Sequence, residues 1–190
     1  MVEKKTDLRV ARTRESIRKA FDELILEKDA DRITVKELTE RAGIHRKTFY
    51  LHFDTIEALY DDRVQQVMDE YFDQHETTPE ISEDLAGHAI RFFKFLAAQP
   101  EVTERLVCNP GSYDFGSRLY FDQMMRYKNA GGNPFDWLDE PKQELVLHFI
   151  RSTALDFYRG WVRGGKKVPV NEAAELLAVM TCHGANALMR

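Results

Sequence analysis

The sequence predicts an all-α protein, an N-terminal three-helix helix-turn-helix domain followed by a C-terminal helical bundle, and three observations carry that expectation. Apolar residues recur at three- and four-residue steps along nearly the whole chain, and no stretch shows the sustained alternation of a half-buried strand. Only 10 Gly and 6 Pro interrupt the 190 residues. The third is a balance of 43% hydrophobic to 31% charged residues, enough apolar surface to bury a core, which excludes disorder, collagen-like repeats and a disulfide scaffold. Cys108 and Cys182 are too few and too far apart for a disulfide framework or zinc cluster and read as reduced thiols. No apolar run approaches the roughly 20 residues that cross a bilayer. The polar start, Met1 to Lys5, has no apolar segment behind it of the kind an export signal needs, so the expectation is a soluble cytoplasmic chain with no membrane partner.

The first expected helix lies behind Thr13 as cap, with Ile17, Ala20, Phe21, Leu24 and Ile25 on one face. Thr34-Val35-Lys36-Glu37 has the Ser/Thr-x-x-Glu spacing in which hydroxyl and carboxylate satisfy orphan amides reciprocally, and it starts a second helix lined inside by Val35, Leu38 and Ala42. Gly43 ends it with a sharp exit. A short third helix covers Ile44 to Phe53. Asp54-Thr55 cap a fourth of about 20 residues, to His75, in which Ile56, Leu59, Tyr60, Val64, Val67, Met68, Tyr71 and Phe72 keep helical spacing. Further helices are expected over 82–98, 101–107, 115–129 and 141–163, the last with Pro141 in its first turn and Gly164-Gly165 at its end, and from an Asn171 cap to Arg190. These elements divide into a helix-turn-helix domain (1–55), a connector helix (56–75) and a C-terminal domain (76–190).

Charge is unevenly placed. The net charge is −5, yet residues 1–55 hold 13 basic against 11 acidic residues and residues 56–190 hold 14 against 21. Residues 1–20 alone carry a net +4. A basic head on an acidic body fits an anion-binding module attached to a second domain.

Two helices joined by a tight glycine turn, behind a supporting helix and a basic arm, make a helix-turn-helix, whose second helix enters the DNA major groove. That helix must lock one apolar face inward and present cations and hydroxyls outward. In His45-Arg46-Lys47-Thr48-Phe49-Tyr50-Leu51-His52, Phe49 and Ile44 are expected inside. Arg46 and Lys47 can donate to guanine O6 and N7, while Thr48, Tyr50 and His52 suit phosphates or a thymine methyl. Thr34, at a helix N-terminus, is a phosphate contact.

The stretch from Thr34 to Phe53, with Ala42-Gly43-Ile44 followed by Thr48-Phe49-Tyr50-x-x-Phe53 and then Glu57-Ala58-Leu59, resembles the DNA-binding region of the TetR (tetracycline repressor) family of bacterial transcriptional regulators. The resemblance covers about residues 12–60. It implies a homodimer whose heads each read half of a palindromic operator on double-stranded DNA and whose bodies bind a small effector that releases the DNA. It also implies DNA contacts at Thr34, Arg46, Lys47, Thr48, Tyr50 and His52. Two positions depart from the family pattern. His45 stands where Ser or Thr is frequent, removing a cap and placing a titratable side chain where it can reach DNA. Ile56 stands where Lys is common, removing one phosphate contact.

The last two helices carry apolar stripes that suit a four-helix interface about a twofold axis, with Phe149, Phe157, Trp161, Leu177, Met180, Gly184 and Leu188 as its candidates. Candidates for lining a pocket for a hydrophobic or aromatic effector are Phe92, Phe95, Tyr120, Trp137, Phe149 and Tyr158. Cys182 and His183 are adjacent and diverge by about 100° on a helix, so they cannot pair as nucleophile and base. No His/Cys pair has short metal-ligand spacing and no glycine-rich phosphate loop is present. The expectation is therefore a regulator, with no catalytic residues, no metal and no cofactor. A second reading is a DNA-anchored helical protein that recruits a protein partner without a small effector.

Overall fold

The computed structural model describes residues 2–75, 85–109, 113, 115, 116, 135 and 137–186. Every regular element among them is helical: α1 (Val2–Glu27), a 3-10 turn (Ala30–Arg32), α2 (Val35–Ala42), α3 (Arg46–Tyr50), α4 (Ile56–His75), α5 (Leu85–Ala98), α6 (Glu101–Cys108), α7 (Glu140–Arg163) and α8 (Val170–Asn186). The helix expected over 115–129 lies almost wholly outside the described residues. Two compact units emerge, one of residues 1–66 and 100–114, the other of residues 67–99 and 115–190.

In the first unit Ile17, Phe21, Leu24 and Ile25 of α1, Leu38 of α2, Phe49 and Phe53 around α3, and Leu59 and Tyr60 of α4 are buried together as its core. The eight apolar positions expected along α4 are all buried. Thr55 caps α4, its Oγ1 accepting from Ala58 N at 3.0 Å. Two expectations are corrected here. α1 starts at Val2, so the basic arm is helix, and Thr13 does not cap it: its Oγ1 donates to Arg9 O at 2.9 Å, inside the helix. Residues 100–114 pack within this unit, where α6 lies on α1 and the buried Tyr60 hydroxyl donates to Leu106 O at 3.0 Å.

The second unit is built on α5 against α8, with α7 packed on both. Ala173, Ala174, Leu177 and Ala178 are buried, small enough together to let α8 approach α5 closely. Phe93 takes the edges of Tyr158 and Trp161, with centroids 5.7 and 5.3 Å away, and the Tyr158 hydroxyl donates to Leu96 O at 3.1 Å. Tyr71 packs edge-on with Phe92 and Phe95 at 5.3 and 5.1 Å. α7 begins as Pro141 suggests, with Asp139 accepting from Lys142 N at 3.2 Å. Asn171 is not the cap of α8. The helix begins one residue earlier, and Pro169 O accepts its first bond, from Ala173 N at 2.9 Å.

Candidate nucleic-acid interface

The turn between α2 and α3 is built as its residue types require. Thr34 Oγ1 accepts from Glu37 N at 3.3 Å, and the Glu37 carboxylate accepts from Thr34 N at 3.1 Å and from its hydroxyl at 2.8 Å, a complete capping box. Lys28 Nζ donates to the same carboxylate at 2.6 Å. Lys28 first and Thr34 second hold the Glu37 pKa down at about 2. The Thr34 hydroxyl is thus already engaged locally, although the residue is exposed. At the other end Gly43 sits at φ 64°, and the bonds Gly43 N to Glu40 O and Ile44 N to Thr39 O close the helix. A residue with a Cβ pays a steric penalty at that φ, which is the reason for glycine there.

These constraints set the direction of α3. Phe49 is fully buried, while His45, Arg46, Lys47 and Tyr50 are exposed and Thr48 and His52 half-buried. His45 occupies the N-cap position, and no side-chain bond caps the helix. Ile44, expected inside, is half-buried. His52 lies beside Arg14, and burial first, then that guanidinium, lower its pKa.

The cations of the head fall into two sets. Arg14 Nη2 and Arg18 Nε both donate to Asp62 of α4 at 2.7 Å, and Arg63 grips Asp22 with Nε and Nη2 at 2.8 Å each. Arg41 is held by Glu27 and Glu23. These pairs tie α1 to α4 and α2. In contrast, Arg9, Arg12, Lys19, Arg46 and Lys47 are exposed and take part in no ion pair among the described residues. Part of the positive charge counted in residues 1–20 is therefore structural, and the unpaired charge of the head includes both cations of α3.

The other expected sites divide. Phe92, Phe95 and Tyr158 are buried in the second unit, whereas Trp137 is 38% and Phe149 58% exposed and do not line its interior; Tyr120 lies outside the described residues. Of the interface candidates, Phe149 and Met180 are exposed. Leu177 is buried in its own chain, and Phe157 and Trp161 are half-buried and pack on Phe93. Nothing is described for the Gly184 environment, and Leu188 lies outside the described residues. Leu176, part of the stripe the sequence gives the last helix, is exposed as well, and composition alone misses Leu145 and Val179, which extend it: Leu145 and Phe149 are one turn apart on α7, as are Leu176 and Met180 on α8. The i, i+4 spacing was a signal, but an inward stripe has the same one.

A buried-face helix behind a capping box and a left-handed glycine turn, with unpaired cations outward, is the arrangement of a helix-turn-helix. The sequence model of the family described as "Bacterial regulatory proteins, tetR family" matches residues 17–62, so the head of this chain is similar to that family's. It is 40% identical over 72 residues to an uncharacterized HTH-type transcriptional regulator, YxbF, of Bacillus subtilis strain 168, a match covering 37% of this chain and 19% of that protein, so the chain spans about a fifth of that relative's length. Among solved structures it is similar to a TetR transcriptional regulator from Streptococcus agalactiae 2603V, at 21% identity over 97% of this chain and 98% of that one, with a TM-score of 0.68. It is also similar to the fatty acid degradation regulator FadR of Bacillus halodurans, at 20% identity over 88% and 93% of the two chains, with a TM-score of 0.59. At these identities the structural likeness establishes the fold. No described helix is long and apolar enough to cross a membrane.

Proposed function

We propose that this chain is a sequence-specific transcriptional regulator, a repressor that binds a palindromic operator as a homodimer and is released by a small hydrophobic or aromatic effector. The observation that carries the reading is the pair Arg46 and Lys47, exposed on α3 without ion-pair partners while most other arginines of the head are tied into it. A protein that uses carboxylates to hold some arginines and leaves the recognition helix cationic keeps that charge for a polyanion.

Dimerisation is assigned to the stripe of Leu145 and Phe149 on α7 with Leu176, Val179 and Met180 on α8, an apolar face exposed in the single chain. The effector is assigned to the second unit, where Tyr71, Phe92 and Phe95 form an aromatic cluster with His88, whose Nδ1 lies 3.4 Å from the Tyr71 hydroxyl. Such an effector works only by binding the DNA-free state more tightly than the DNA-bound one.

The test is selection of duplexes from a random DNA library by the purified chain at near-physiological salt, since cationic helices bind any DNA when salt is low. A palindromic consensus is the expected result. R46A or K47A should weaken binding to it and relax base preference, each by about 1–3 kcal/mol if the residue reads a base. Absence of any enriched sequence, or unchanged affinity in both variants, overturns the assignment.

A further inference from the structure

We infer that Leu51 is a specificity-determining residue that selects the 5-methyl group of thymine in the major groove, an inference that rests on the DNA-reading role of α3. Leu51 is 75% exposed, the highest value of any large apolar side chain among the described residues. Its backbone, at φ −78° and ψ −13°, continues the turn of α3. At about 100° per residue, Phe49 points to the core, and the two residues nearest the opposite direction are Lys47 and Leu51, each about 20° from it on either side. Tyr50 flanks this line on one side and Thr48 on the other. The centre of the outward face is therefore one cation and one leucine.

An exposed leucine on a solvated surface is unremarkable by itself. This one lies one helical turn from Lys47, on a face whose Arg46 and Lys47 have no ion-pair partner, so the surface that covers it is anionic. Leucine has no donor for a phosphate. On the floor of the major groove the methyl of thymine is the apolar group presented by the standard bases, and burial against it is the favourable contact open to Leu51. Lys47 and Leu51 are about 6 Å apart along the helix axis, so a guanine read by the first and a thymine read by the second fall within about two base pairs of each other.

The experiment uses the full chain and the duplex it selects, with each thymine replaced in turn by deoxyuridine, which removes only the methyl group. The expected result is a loss of about fourfold per half-site at one thymine, the factor for one methyl-sized burial, and no such loss for L51A. L51M, which restores apolar reach, should recover the discrimination. Because Leu51 is exposed, L51A should melt with the parent, and thermal unfolding checks this. Indifference of the parent to every uracil, or discrimination retained in L51A, overturns the inference while leaving the DNA-reading role intact. Failure to select any duplex overturns that role and this inference with it.

Discussion

The substitution D62N should destabilise the head by about 2–3 kcal/mol at pH 7, and the figure follows from what surrounds the carboxylate. Asp62 accepts three bonds from two guanidiniums of α1: Arg14 Nη2 at 2.7 Å, Arg18 Nε at 2.7 Å and Arg18 Nη2 at 3.1 Å. Buried charge-assisted bonds contribute about 1.5–3 kcal/mol each. The Asp62 side chain is 18% exposed and that of Arg14 37%, so solvent screens a good part of this and the sum is well below three full bonds. Asparagine keeps one acceptor oxygen and turns an NH2 group toward a cation. Urea unfolding monitored by circular dichroism reads the change directly.

The pH dependence sharpens the test. Burial raises the Asp62 pKa, but the hydrogen bonds and charges of Arg18 and Arg14 outweigh it, and the net result lies below the ordinary 3.8. A carboxyl lowered on folding stabilises the native state above its unfolded pKa and loses that contribution as pH falls through the folded value. The gap between parent and D62N should therefore be full above about pH 4 and shrink below it. Asp22 behaves oppositely, since burial raises its pKa beyond what Arg63 offsets. Its linkage contribution is present below pH 3.8 and fades as pH rises through the raised value, so D22N should cost less than D62N at pH 7. A D62N variant within about 0.5 kcal/mol of the parent, or a gap unchanged at pH 3, refutes the reasoning.

Gly43 offers a cleaner backbone test: the space a methyl group would take there is open, so G43A meets no clash and pays only for its left-handed φ. That penalty of about 1–2 kcal/mol, offset in part by the stiffer unfolded chain, leaves a loss of about 1 kcal/mol in G43A and less in G43N, read by thermal melting. At the proposed dimer face, F149E or M180E should shift the dimer toward monomer, raising its dissociation constant at least about tenfold in sedimentation, whereas L177A should chiefly lower stability because Leu177 is buried in its own chain. E37Q keeps the capping geometry but removes the charge opposite Lys28, so its stability should approach the parent's near pH 2, fall behind it as pH rises from there to about 4.5, and trail by a constant amount above that.

By itself the sequence determined the local elements whose causes are local. The capping box at Thr34, the left-handed turn at Gly43 and the buried stripe of α4 are each set by a few residues within a turn or two of one another, and all are present as the spacing required. What tertiary structure decided was direction. A stripe of Phe, Leu and Trp has the same period whether it meets its own core or a second subunit, so only packing separates Leu177, inward, from Met180, outward. Charge counting likewise could not tell Arg14 and Arg18, which Asp62 claims from 44 to 48 residues away, from Arg46 and Lys47. The same holds for Leu51. It reads as one more apolar position in the sequence, and it became a candidate base contact once Phe49 fixed which way α3 faces.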